Sequence, residues 1–313
     1  MAKSFRIGWL SVFLILFLVS CSKGGDYSEK VFLQTPWGSA PGQFGLLKEA
    51  EGVAPEALTV DADGNIWIID LVNSRVQGFR KDAQFIRSIP IQIRAMDIAS
   101  GPNGLLYLFA PYDYKISVLD TLGKLKKTLF IPSSINLPEG IRWESGRLVV
   151  LTSEQKSYAL LNQSQIKTIS QLPSLLKISV QPLEGLAGQF GNNRYRTTWR
   201  SENSAGIWVL DAAGQKKREI SVTPDAALGA VRYLNSDRKG NFYILEEILP
   251  EPGKSVFCVQ RFSSDGKTIA KIDIPNKNIA DVHKPVTIDA NGNIYFIRIL
   301  PESFSILKWE WHQ

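Results

Sequence analysis

Cysteine, histidine and methionine each occur only twice in the 313 residues. Two cysteines cannot build a disulfide framework. Two histidines leave little material for His-based metal or acid–base centres. An excess of one charge is missing too: 36 Lys and Arg against 30 Asp and Glu leave +6. Residues 1–20 hold Lys3 and Arg6 and no acid, so the remainder has 34 basic against 30 acidic residues, or +4. That is a mildly basic surface, not a nucleic-acid footprint. Long apolar runs are absent: the N-terminal run Ile7–Ser20 is 14 residues, where a membrane span needs about 20. There is no Gly-rich phosphate loop, no Ser-centred elbow and no sustained 3.6-residue apolar period. Phosphate-loop enzymes, Ser-elbow hydrolases and helical solenoids are thereby excluded, and no cofactor is expected. What the chain does have is 44% hydrophobic and 21% charged residues, enough for a packed core and too apolar for global disorder.

The start, MAKSFRIGWLSVFLILFLVSC, has the three-part order of an export signal: basic residues, an apolar run, then a small residue. Its ending, LVSC, resembles the bacterial lipobox. That resemblance implies cleavage after Ser20 and a palmitate-bearing, lipid-anchored Cys21 as the mature first residue. More than one acyl chain anchors stably. Residues 21–29 read as the lipidated Cys and a flexible polar tether, with no transmembrane span after processing. Ser22 follows the Cys where Asp would signal retention. By resemblance to Gram-negative sorting, the expected location is the cell envelope, on the outer membrane.

The rest repeats. VDADGNIWIID from Val60 returns as IDANGNIYFIR from Ile288, and both read strand, tight turn, strand. Similar turns fall at Asn103-Gly104, Ser145-Gly146, Asn192-Asn193 and Lys239-Gly240. The spacing is roughly 40 to 50 residues, the range of propeller blades. Each turn precedes an apolar strand and then a second hairpin, for example IWVLDAAGQKKREISV. In the third unit YALLNQSQIKTIS is expected to form that hairpin. The pattern predicts an all-β fold, a six-bladed β-propeller of four-stranded antiparallel blades over residues 30–313. The sixth unit lacks a fourth strand. The run KVFLQTPWG, from Lys30, is expected to supply it and close the ring.

The first unit carries Pro41 to Phe44, Val60-Asp61, Gly64 to Trp67, Asp70, Asn73, Arg75, Val76 and Gln77 in the order of an NHL repeat, which it resembles. The resemblance implies the propeller and no single activity. A further GQFG stands at residues 188–191.

Propeller ligands usually meet the face built by the loops, and loops carry function. Binding candidates there are Asp70, Asn73, Tyr112, Tyr114, Trp199, Arg200 and Glu247, with His283 ahead of the sixth unit. Asp70, Asn73 and Arg75 also suit turn capping and contacts between blades. The loops following the second strands are expected to hold Trp199 to Asn203 and Glu246 to Gly253. The Glu246-Glu247 pair reads as solvated charge, and Cys258 as a small buried residue. No catalytic residue and no metal ligand is expected. The favoured function is a binding or scaffold role towards another envelope protein or an extended polymer, with no nucleic-acid partner. The alternative is a propeller hydrolase of the metal-dependent lactonase type.

Overall fold

A computed structural model describes residues 26–48, 52–101, 104–173, 182–275, 278–280 and 282–312. The leader, Cys21 and residues 22–25 lie outside these, as does Asn103. The chain folds into six four-stranded antiparallel sheets set in a ring, a six-bladed β-propeller. First in sequence is β1 (Asp26–Pro36). Blade one then holds β2 (Leu58–Val60), β3 (Ile66–Asp70), β4 (Arg75–Phe79) and β5 (Phe85–Pro90). Blade two holds β6 (Asp97–Ser100), β7 (Leu105–Ala110), β8 (Lys115–Asp120) and β9 (Leu125–Phe130). Blade three has β10 (Pro138–Glu144), β11 (Arg147–Thr152), β12 (Lys156–Asn162) and β13 (Leu183–Glu184). Blade four has β14 (Leu186–Ala187), β15 (Arg194–Ser201), β16 (Ser204–Leu210) and β17 (Lys216–Val222). Blade five is β18 (Ala227–Ser236), β19 (Phe242–Glu251), β20 (Lys254–Phe262) and β21 (Thr268–Ile274). Blade six is β22 (Val286–Ile288), β23 (Ile294–Ile299), β24 (Ser303–His312) and, as its outer strand, β1.

The closure is as the sequence predicts. Asp26 lies opposite His312 and Pro36 opposite Ser303. The strand starts earlier than expected, so residues 26–29 belong to the sheet and not to the tether. No edge remains open between the first and last blades.

The core lies between neighbouring blades. Phe44, Phe79 and Phe304 meet between blades six and one, and Tyr195, Phe242 and Phe262 between blades four and five. Among the described residues no helix is long and apolar enough to cross a membrane.

The repeated turn motif has a chemical cause. Asp61 Oδ1 accepts from the backbone N–H of Asp63 and Asn65, while Oδ2 accepts from the Asn65 amide and the Trp67 indole. Asp237 does the same for Lys239, Asn241 and Tyr243, and Asp289 for Asn291, Asn293 and Tyr295. Asp, Gly three residues on, Asn four on and an aromatic six on thus form one hydrogen-bonded unit.

Blade three departs from expectation. YALLNQSQIKTIS forms no hairpin. After β12 the chain enters a short helix, α1 (Gln163–Lys167), started by a capping box between Asn162 and Gln165. Asn162 is a strong helix-capping residue, and Gln165 stands where a capping box needs it. The outer strand of the blade is instead β13, two residues long. One residue, Gly185, then separates it from β14, the inner strand of blade four. Gly185 has φ +71°, and an added Cβ would lie 2.9 Å from the Tyr195 carbonyl oxygen. Only glycine fits that link without strain. The inner strand of blade four consequently covers only Arg194 and Tyr195 of β15.

Candidate functional site

The first strands of the six blades ring an axial channel of about 770 Å³. The turns leading into the second strands lie at one end. The turns between third and fourth strands share that end, while the loops after the second strands and the connections between blades lie at the other, the loop end.

The loop end is partly bridged. His283, ahead of β22 in blade six, places Nε2 2.8 Å from the carbonyl oxygen of Glu139 in blade three. Those blades stand opposite each other in the ring. Lys284 Nζ donates to Asp97 Oδ1 at 3.1 Å, and Asp97 Oδ2 accepts from the Ile141 N–H at 2.9 Å. The Asp97 carboxylate sits where a Cβ on Gly140 would be, 2.8 Å away. Blades two, three and six are thus tied across one side of the mouth.

The other side is open, because blade four lacks most of its inner strand. There β15 itself faces the channel. Gln155, at φ +57°, turns its amide onto the bare edge. Its Oε1 accepts from the Thr197 N–H at 2.7 Å and its Nε2 donates to the Thr197 carbonyl at 3.0 Å. One side-chain amide thereby replaces one peptide of the missing strand. Two residues on, Trp199 is 58% exposed and lines the channel.

The acids of the wall are mostly engaged. Asp61 and Asp289 hold turns and Asp97 holds the mouth. Among the described residues lining the channel, Glu139 alone of the acids has a carboxylate that no other group engages. Arg142 extends from blade three beneath the gap, donating to Leu234 O at 3.1 Å with its charge over the Tyr233 ring.

Two of the residues anticipated from sequence, Trp199 and His283, come together in this channel. The others do not join them. The Asp70 carboxylate is fully buried, accepting from Gly45 N, Asn73 Nδ2 and Arg75 Nε. Arg75 and Gln77 both reach the Gln43 carbonyl, so they clamp the PGQF segment onto blade one. Tyr112 is 74% exposed beside the Arg94 guanidinium, while Tyr114 packs on the core between blades two and three. Trp199, Arg200, Glu246 and Glu247 lie on strands rather than in the loops expected for them. Arg200 pairs with Glu219 on the outer part of blade four, where Lys216 and then Arg200 hold the Glu219 carboxyl down at about 2. Glu247 is half-buried beside Gly229. Glu246 is not solvated at all: it is wholly buried between blades four and five.

Sequence reading passes over Arg142, Arg232 and Arg238, and covers Gln155 only within the loop Ser153 to Lys156 and Phe190 only within the second GQFG, though all five line the channel. Counting back from each turn to the strand before it would have found Arg142 and Arg232. The second GQFG segment proves to be the turn between β14 and β15, with the Phe190 carbonyl accepting from Ser236 Oγ.

Fold and site together define a six-bladed β-propeller with a ligand-sized axial channel. No protein-family model matches the chain, and no curated protein matches it. Among solved structures, a DUF4221 family member from Bacteroides vulgatus is 10% identical, with a TM-score of 0.50 over 93% of this chain and 100% of that one. A streptogramin B lyase is 15% identical, with a TM-score of 0.47 over 91% of this chain and 98% of that one. Regucalcin, a calcium-binding protein from Agrobacterium tumefaciens, is 13% identical, with a TM-score of 0.46 over 90% and 95%. At such identities the likeness is one of fold alone.

Proposed function

We propose that this protein is a lipid-anchored binding module of the bacterial envelope. Its propeller captures part of an envelope protein or an extended polymer at the open side of the channel. The observation that carries this reading is the lopsided mouth. Three blades are tied together by His283 and Asp97, and the gap in blade four presents Trp199. An exposed aromatic beside a concave, polar wall is the composition of a recognition site. Of the described channel acids that a hydrolase would use to bind a metal, Asp61, Asp97 and Asp289 are engaged in holding turns and blades, which leaves Glu139 alone. The signal-like leader and LVSC support the anchor, and its placement on the outer membrane follows from Ser22.

The test is an array of envelope polysaccharide fragments and peptides, probed with the soluble domain and with Trp199→Ala. A specific ligand lost in the variant is the expected result. Binding unaffected by Trp199→Ala would sink the channel reading. Turnover of lactones dependent on a divalent cation would replace it with a hydrolase of the lactonase type.

A further inference from the structure

Three guanidinium groups in the channel have no carboxylate partner. Among the described residues Arg75, Arg194, Arg196, Arg200 and Arg261 pair with a carboxylate, and none of these lines the channel. Arg142 is half-buried, yet its bonds go only to neutral carbonyls, those of Leu234 at 3.1 Å and Ala187 at 3.5 Å. Arg232, exposed on β18, has no hydrogen-bond or ion-pair partner among the described residues. Arg238 lies over the Phe190 ring, 5.8 Å from its centroid, and likewise bonds to no acid.

The three lie along one stretch of wall. Leu234, which Arg142 reaches, is two residues along the strand from Arg232. Arg238 sits in the turn that follows the same strand. Phe190, its stacking partner, is three residues past Ala187, the second group that Arg142 touches. Partly withdrawing the Arg142 cation from water without a counter-charge is costly. A low-dielectric wall concentrates the field of all three on whatever enters. Guanidinium is also the side chain best shaped for the two oxygens of a carboxylate or phosphate.

We infer that the channel takes an anionic group, a carboxylate or a phosphate, between Arg142, Arg232 and Arg238. This rests on the channel being the binding site and names the chemistry of its ligand. The anion goes deep, towards the turn end. The rest of the ligand leaves past Trp199 through the gap in blade four. Glu139, at the tied side of the mouth, stands apart from the cations and repels an anion from that side.

The test uses the soluble propeller, with citrate and pyrophosphate as probes, calorimetry at low salt and tryptophan emission, to which Trp143 and Trp199 in the channel contribute. The double variant Arg232→Gln/Arg238→Gln removes two exposed charges and is expected to leave thermal unfolding unchanged. Binding of either probe by the wild type, weakened at least tenfold in the double variant and by added salt, supports the assignment. Preference between the two probes tells carboxylate from phosphate. No binding of either, or equal binding by the double variant, overturns it. A neutral array ligand lost in Trp199→Ala but kept in the double variant overturns the anion assignment and leaves the channel reading standing.

Discussion

Glu246 has no relative-surface exposure and no hydrogen-bond partner for either carboxyl oxygen. Its nearest cation is Lys271 Nζ at 4.0 Å, on a side chain that is 45% exposed. Burial raises the carboxyl above its ordinary range, and Lys271, then the Gln260 side chain, only partly oppose this. A raised value means that the folded protein favours the neutral acid. That advantage is complete below the ordinary glutamate range and is lost as pH climbs through the raised value. Glu246→Gln is neutral at every pH. It should stabilise the fold at pH 7 by about 1 kcal/mol, since an unpartnered buried carboxylate is costly. The gain should close as pH falls to about 4, as urea unfolding across pH will read. A less stable variant at pH 7 would mean that the Lys271 pair dominates. Cys258 lies opposite Glu246 on the neighbouring strand, also fully buried. Desolvation pushes its thiol up to about 12. It should therefore resist iodoacetamide at pH 8 in the native protein and react in urea.

Two elements carry the ring. One is β1, which brings Phe32 into the core between blades six and one. Removing residues 22–36 strips blade six of its outer strand and uncovers that core, so a large loss of stability is expected. Phe32→Ala is the milder version and should cost about 3 kcal/mol in urea unfolding. Unchanged unfolding of either would refute the role of the closure. The other element is the link at Gly185. Two blades share the five residues Leu183–Ala187, so β14 cannot run back past Gly185 to cover more of β15. The gap that opens the channel is thus a consequence of how little chain lies between the two strands. Gly185→Ala should destabilise by about 1–3 kcal/mol, because a left-handed backbone and a crowded Cβ act together.

For the whole molecule, the proposed anchor and the proposed binding site are separate. With β1 beginning at Asp26, the proposed tether between Cys21 and the disc is only a few residues. The propeller would therefore sit close against the membrane. Cys21→Ala should yield an uncleaved or soluble protein in cell fractionation, with ligand binding by the propeller retained. A processed variant that still sediments with membranes would refute the lipid anchor.

Propeller, blade count, closure and the turn units were legible because each depends on neighbours in sequence. Alternation of apolar residues, Gly at a positive φ and Asn four residues after Asp act within a few positions. Trp199 and His283 could be named because aromatic and titratable groups near strand ends stand out. Asp70, Asn73 and Arg75 could be named too, but their engagement with Gly45 and the PGQF segment appears only in the fold. The helix in blade three was missed because Asn162 and Gln165 form a cap only when the strand stops before them. The tertiary structure alone decided that blade four is open, that Glu246 is buried and that three arginines line one channel without an acid partner. Such facts depend on which chains lie beside which across the ring, over separations of dozens of residues, and no local pattern of residues encodes that adjacency.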